Sequence, residues 1–389
     1  MAAGDAVYTL PRMDRRSLLK ALSVLAGTAA LEGCAGKHVV RAATAPAPSA
    51  RPLLHLPKVN VQADREIRTI TGLRPFRPSG FNVSAQKYAD KLVVHNYGHG
   101  GGGVTLSWGT GELACREVDA SGEKTVAVLG SGAVGLATAR LLQERGCAVT
   151  IYTKALPPNT TSNVAGAQWF PVYVFSRSHI APDFMPRFIE ASHLANRRYQ
   201  LMVGARYGVR WLPNYLLTDQ PVSNGGLHSF DSPLRDLIPE MRYLDPAENP
   251  FSAPYVLQFD TMLIEPNRYL PALLDDFHAA GGTIRVREIR DVGELQTLPE
   301  RVIVNCTGLG AKVLFGDEEL TPVKGQLTFL LPQPEIDYIV LADDLYMFPR
   351  SDGILLGGTH EEGVWTLDPD LAAKQRILTG HAQLFQQMK

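Results

Sequence analysis

The stretch VAVLGSGAVGLATARLLQERG, Val126 to Gly146, decides how this chain is read. A short apolar run ends in Gly130-Ser131-Gly132-Ala133-Val134-Gly135, and apolar residues then recur at helical spacing up to Gly146. Each glycine of a G-x-G-x-x-G pattern has a physical reason. The first makes the turn, the second lets a pyrophosphate approach the backbone, and the third lets helix and strand pack closely. The helix N-terminus faces the negative charge. "KTVAVLG" before the helix and "AVTIYT" after it read as buried strands, which completes a dinucleotide-binding βαβ unit. The acid expected at the end of the second strand is missing, because Tyr152-Thr153-Lys154 stands there. The adenosine ribose must then be held otherwise. A lysine at that point can also read a 2′-phosphate, which keeps an NADP-dependent dehydrogenase open as an alternative.

Upstream lies a second glycine element, HNYGHGGGGVTLSWGTGELA, His95 to Ala114. It follows a strand, "KLVVHNY", and leads into a helix from about Thr105. Before it, "DREIRTITGLRP" alternates apolar residues and stops at Pro75, as a strand does. Downstream, the region from about Phe175 to Met262 is rich in proline, aromatics and short strand-like pieces. "IEPNRYLPALLDDFHAAGG" reads as a helix, "TIRVRE" and "RVIVNCTG" as strands returning to the nucleotide unit. "KGQLTFLL", "YIVLAD", "LYMFPR" and "GILLGG" read as an antiparallel sheet, and the last 22-odd residues as a helix.

The bulk composition is that of a soluble globular protein large enough for two domains: 389 residues, 45% hydrophobic and 20% charged. A formal net charge of −1 with no long basic run removes the footprint of a nucleic-acid binder. The N-terminal "MDRRSLLKALSVLAGTAALEGCAG" pairs Arg15 and Arg16 with an apolar run too short to span a bilayer comfortably. It resembles a twin-arginine export signal, and "LEGC" resembles a lipobox in which Cys34 carries a lipid anchor. An exported, periplasmic or membrane-anchored protein is expected. An Ala/Pro linker follows. Cys115, Cys147 and Cys306 fit no metal spacing and are expected to pack as small apolar side chains. His95 and His99 have a metal-ligand spacing but no third ligand, so loop hydrogen bonding is expected and no metal site is assigned.

Several further motifs resemble the D-amino-acid oxidase family of FAD-dependent oxidoreductases. "NTTSNVAGAQWFP", Asn159 to Pro171, matches the stretch that wraps its flavin, and "VIVNCTG", Val302 to Gly308, its later dinucleotide contact. "QFDTMLIEPNRYLPALLDDFHAAGG" matches the strand and helix between them; "PVKGQ" and "YMFPRSDGILLGG" match its substrate-side sheet. That family continues with a glycine–arginine–proline turn and a glycine loop with a helix against the flavin. Here "TITGLRPFRPSGF" and "VVHNYGHGGGGVTLSWG" supply them ahead of the nucleotide unit, as in a circular permutation. The implied fold is α/β: a Rossmann-type FAD-binding domain interleaved with an antiparallel-sheet substrate domain. The expected division is an export signal over 1–34, a linker over 35–55 and the permuted segment over 56–115. The FAD-binding βαβ spans 124–175, the mainly substrate-side region 176–280, the FAD-binding return 281–315, and the substrate sheet with its closing helix 316–389. A polar surface link is expected from about Arg116 to Glu123.

The resemblance also implies roles. Arg74 would grip a substrate carboxylate with Tyr346, and the Gly101 carbonyl would accept from the substrate amine. FAD contacts would come from Gly130, Gly132 and Gly135, then from Thr160, Thr161, Ser162 and Gly166, and from Ile289, Thr307 and Gly308. On the ring side they would come from Gly100, Gly103 and Thr105. The implied reaction is hydride transfer from a D-amino acid, or a related amine, to the flavin. It yields an imino acid and then a 2-oxo acid and ammonia, with oxygen or a membrane quinone taking the electrons. Alignment would carry most of that chemistry, so no side-chain base is required. The family's animal members have a lid tyrosine where Ala342 stands here, while Phe170 and Phe348 favour an apolar substrate side chain. A non-catalytic flavin-fold lipoprotein that binds amino acids is a further alternative.

Overall fold

The N-terminal block crosses between two sheets. Strand β1 (Glu66–Phe76) is followed by β2 (Asn82–Tyr88), β3 (Lys91–Tyr97) and helix α1 (Gly103–Ser121). The nucleotide unit follows as β4 (Thr125–Leu129), α2 (Ala133–Glu144) and β5 (Ala148–Thr153). Next come α3 (Phe184–Gln200), β6 (Val209–Thr218), β7 (Arg242–Tyr243), β8 (Tyr255–Ile264) and α4 (Pro266–Ala279). The chain returns through β9 (Thr283–Val286), β10 (Val302–Asn305) and α5 (Gly310–Phe315). It closes with β11 (Thr321–Leu330), β12 (Ile339–Ala342), β13 (Leu345–Arg350), β14 (Gly353–Gly357), β15 (Glu361–Glu362) and α6 (Leu371–Gln386). This computed structural model describes residues 51–389. The expected export signal, the expected lipid anchor at Cys34 and residues 35–50 of the expected linker lie outside the described residues.

One sheet has the order β2-β3-β10-β4-β5-β9, in which every pair from β3 onward is parallel. Its inner strands are apolar on both faces because helices cover them. Val93, Val126, Ile151, Ile303 and Val304 are all buried. The other sheet has the path β1-β11-β14-β13-β12-β6-β8-β7, with β15 pairing β11. It is mostly antiparallel, but β12 and β6 run parallel, Ile339 opposite Asn214. The four segments read as an antiparallel sheet, β11 to β14, do pair antiparallel among themselves, and the parallel contact is with β6, reached after the chain crosses the sheet.

Three expectations are revised. The segment Phe184–Gln200 is a 17-residue helix, not a run of short strands. Its buried residues Phe184, Phe188, Ala191, Ala195 and Tyr199 recur every three or four positions and pack into the core shared with α1 and α2. This helix of the mainly substrate-side region 176–280 thus packs with the helices of the nucleotide layer. Helix α1 begins at Gly103 and runs to Ser121, so the expected link shrinks to Gly122–Lys124, with Gly122 at φ +73° closing the helix. Leu54, placed in the linker, packs with Leu56 against the core beside α6.

The helix that opens toward the centre of the molecule is held from behind. The Tyr199 hydroxyl donates to the Val104 carbonyl at 2.6 Å, and Trp108 Nε1 donates to the Tyr269 hydroxyl at 2.7 Å. These groups are buried, and losing a partner for one would cost about 1–3 kcal/mol. Asp317 fastens the block to the second sheet, accepting from Arg77 Nε at 2.9 Å and from the Tyr97 hydroxyl at 2.8 Å.

Candidate functional site

A cavity of about 1220 Å³ runs between the two sheets. That exceeds the ~300–1,000 Å³ of a single drug-sized ligand. Arg74, Tyr346, Gly101, Gly130, Gly132, Thr160, Thr161, Ser162, Gly166 and Ile289 all line it, as do Thr307, Gly308, Gly100, Gly103 and Thr105. Gly135 does not. A Cβ there would stand 2.1 Å from the Gly130 carbonyl oxygen, so this glycine lets helix and loop approach.

The dinucleotide end is a backbone cradle. Gly130 has φ +100°, a conformation that side chains rarely take. A Cβ on Gly132 would meet Ser162 Oγ at 3.1 Å, and that Oγ accepts from the Ala133 N–H at 2.9 Å. The α2 N-terminus therefore opens on the cavity beside Ser162, where an anion is favoured. Thr160 and Asn163 form a capping box that shapes the next turn. Ser131 Oγ donates to the Ala155 carbonyl at 2.7 Å, tying the glycine loop to the end of β5.

At the other end, the four-glycine turn leads into α1, and the Gly101 N–H donates to the Tyr173 carbonyl at 3.0 Å. Thr105 is buried and donates to the Gln168 carbonyl at 3.3 Å. The facing segment is strained at both ends: Ala167 has φ 62° and Tyr173 φ 54° without being glycine. Such residues cost about 1–3 kcal/mol each and persist where the surroundings hold them, often at functional sites. His99 shares a hydrogen bond with Thr110 Oγ1 at 2.8 Å, and His95 faces Asn305 Nδ2 at 3.2 Å. Burial pushes His99 down to about 3 and His95 down to about 4, the latter against the pull of Asp317. Among the described residues no three candidate ligands gather around a metal position.

Between these ends, Arg74 of β1 and Tyr346 of β13 meet. Arg74 Nη2 donates to the Tyr346 hydroxyl at 3.4 Å, and Nη1 lies 3.5 Å from the Thr359 carbonyl. Burial pushes the Tyr346 phenol up while Arg74 pulls it down; the net shift is upward, so the hydroxyl keeps its proton and can donate. Two glycines make the room. A Cβ on Gly325 would stand 2.5 Å from Arg74 Nη1, and one on Gly357 would stand 2.0 Å from the Tyr346 ring. Thus both side chains lie across the sheet instead of standing up from it.

Around this pair the wall is apolar, with Phe170, Leu216, Leu341 and Phe348. Phe170 stacks on His228 at 4.2 Å, and burial pushes that histidine down to about 4. At the rim, Tyr173 and His360 have ring centroids 4.6 Å apart, and Trp365 stands 52% exposed on the cavity wall. The Thr71 hydroxyl donates to the Leu367 carbonyl, fixing the segment that carries Trp365. Sequence reasoning missed His228, Gly325 and Trp365. The two aromatic residues sit in loops without periodicity, and nothing local marks the glycine.

A cavity with a backbone cradle at one end, a glycine turn at a helix start at the other and the Arg74–Tyr346 pair between them fits FAD with room for a small molecule. Fold and site together define a dinucleotide-binding flavoenzyme with a two-layer cleft. The chain belongs to the FAD dependent oxidoreductase family, whose model matches residues 125–389. Its cofactor is accordingly FAD, and the protein is an oxidoreductase. It is 34% identical over 261 residues to a D-amino-acid oxidase of Streptomyces coelicolor, covering 65% of this chain and 75% of that one. It is 29% identical to a D-aspartate oxidase of Homo sapiens, covering 65% and 74%. Among solved structures, glycine oxidase from Geobacillus kaustophilus shares the fold, with a TM-score of 0.51 at 18% identity, covering 69% of this chain and 80% of that one.

Proposed function

We propose that the protein oxidises D-amino acids, or closely related amines, to imino acids that water converts to 2-oxo acids and ammonia. The observation that carries this reading is the Arg74 guanidinium set 3.4 Å from the Tyr346 hydroxyl on the cavity wall. A planar fork that never deprotonates pairs with a carboxylate through two parallel hydrogen bonds, and a protonated phenol adds a third donor. The Gly101 carbonyl is the candidate acceptor for the substrate amine, which fixes the remaining orientation. When bound, FAD supplies the hydride acceptor. The first N–H groups of α1, that of Thr105 among them, are the candidate donors to the ring, at a helix end that favours negative charge. Phe170, Leu216 and Phe348 favour an apolar substrate side chain and exclude water.

The relatives named D-amino-acid oxidase support the D preference. The pairing of β1 with β11 and the four-glycine turn on the cavity wall support reading the N-terminal block as the segment that follows the substrate sheet in that family, the permuted order suggested by the motifs. The arginine pair at Arg15 and Arg16 and the candidate lipobox at Cys34 support an exported, membrane-tethered enzyme, with oxygen or a quinone as acceptor. Anaerobic mixing of the yellow protein with a panel of D- and L-amino acids tests the reaction. Bleaching by apolar D-amino acids alone is expected, and no bleaching by any D-amino acid would refute it.

A further inference from the structure

We propose that Glu288 is the carboxylate that holds the adenosine ribose of FAD, replacing the strand-end acid that β5 lacks. Strand β5 ends at Thr153, and Lys154 stands where an acid is expected. Strand β9 runs parallel beside it, with Thr153 opposite Val286, and the Arg287 N–H donates to the Thr153 carbonyl at 2.9 Å. Lys154 therefore leaves β5 level with Arg287, and Glu288 follows one residue further along the neighbouring chain. Lys154 and Glu288 line the same end of the cavity, next to Ser131 and Thr153. Lys154 Nζ lies 3.9 Å from Glu288 Oε1, with the two side chains 75% and 48% exposed.

An exposed pair at that distance adds little to stability, so its placement in the cavity calls for another reason. Lysine alone would draw a 2′-phosphate. A carboxylate beside it cancels that attraction and offers two acceptor oxygens, which suits the vicinal hydroxyls of an unphosphorylated ribose. Arg290 Nε, 3.7 Å from Glu288 Oε2, steadies the same carboxylate on its other side. The acid has thus moved one strand over, and the lysine has become its partner. The inference rests on FAD binding and stands apart from the substrate reading.

The test uses the purified holoenzyme, diluted through a concentration series, with released FAD read by its fluorescence after ultrafiltration. Glu288→Ala removes hydrogen bonds to a charged acceptor and should raise the FAD dissociation constant by about 10- to 100-fold. Adding Lys154→Asp to that variant restores an acid on β5 and should recover most of the lost affinity. Glu288→Gln keeps the side-chain volume and carries the same expectation in weaker form, should the alanine variant unfold. An unchanged dissociation constant in Glu288→Ala overturns the assignment. So does a Lys154→Asp addition that recovers nothing while circular dichroism shows both proteins folded.

Discussion

The guanidinium of Arg74 and the hydroxyl of Tyr346 lie 3.4 Å apart although 272 positions separate them in the chain. Two strands intervene between β1 and β13, and the glycines of those strands, Gly325 and Gly357, are the floor on which the two side chains rest. The Arg74–Tyr346 contact is therefore a property of four adjacent strands.

Arg74→Ala should leave the flavin spectrum and the fold intact while lowering kcat/KM on the best substrate by about 100-fold or more, the value of a charge-assisted bidentate pair. Arg74→Lys should recover only part of it, since a point charge cannot form the fork. Steady-state kinetics beside an absorbance scan check both. Full turnover in Arg74→Ala would remove the fork from the mechanism.

Gly325→Ala should impair turnover without unfolding the protein. The added methyl meets the far end of a flexible side chain, Arg74 Nη1 at 2.5 Å, and pushes the fork out of register. Misplacement by about 1 Å can cost on the order of 100-fold. Gly357→Ala meets the rigid Tyr346 ring at 2.0 Å and should lower the melting temperature as well. Equal turnover in the Gly325 variant would show that the fork does not need this seat.

Acid should destabilise the protein well above the carboxylate range. His99 and His95 are buried and held down to about 3 and about 4 in the folded state, against about 6.5 when unfolded. The folded pKa is depressed, so the unfolded chain binds protons first and the stabilisation is lost as pH falls from about 6.5 toward the folded values. Each histidine contributes up to about 1.4 kcal/mol per pH unit within its window. Melting curves between those limits should show a steep decline, shallower in His99→Gln. Flat melting temperatures from pH 6.5 to 4.5 would contradict the burial of these rings.

A reordered chain should fold. Residues near the start of the described chain and at its last helix meet one loop: the Leu54 N–H donates to the Glu248 carbonyl at 2.9 Å, and the Lys389 N–H donates to the Pro250 carbonyl at 2.8 Å. Lys58 donates directly to the Met388 carbonyl. The turn at Gly122 is open, with nothing within 4 Å of an added Cβ. A chain running from Lys124 to Lys389, then through a short glycine-serine link to Arg51 and on to Ser121, keeps both sheets and their core packing, losing only the surface contacts of Gly122 and Glu123 and changing loop entropy. It should bind FAD and turn over at a comparable rate, as absorbance and kinetics would show; an insoluble, colourless product would count against the permuted order.

Much of the molecule is legible in the sequence. The glycine loop at Gly130, helix α2 and strands β4, β5 and β10 announced themselves because their demands are local. Strand β2 did not, since an edge strand with Val83 as its buried residue carries no apolar alternation. Helix α3 had the right spacing in Phe184, Phe188, Ala191 and Ala195, but Pro186 and the dense aromatics around it hid the period.

What the amino-acid order determined alone was backbone chemistry: where a left-handed turn falls, where a helix presents its N–H groups, and which family those motifs belong to. The tertiary structure decided which distant side chains meet. Arg74 finds Tyr346, Gly325 and Gly357 clear the space beneath them, and Glu288 comes to stand beside Lys154. Turn and helix preferences act over a few residues and can be read locally. Contacts between strands depend on sheet order and register, which arise only once the whole core has packed.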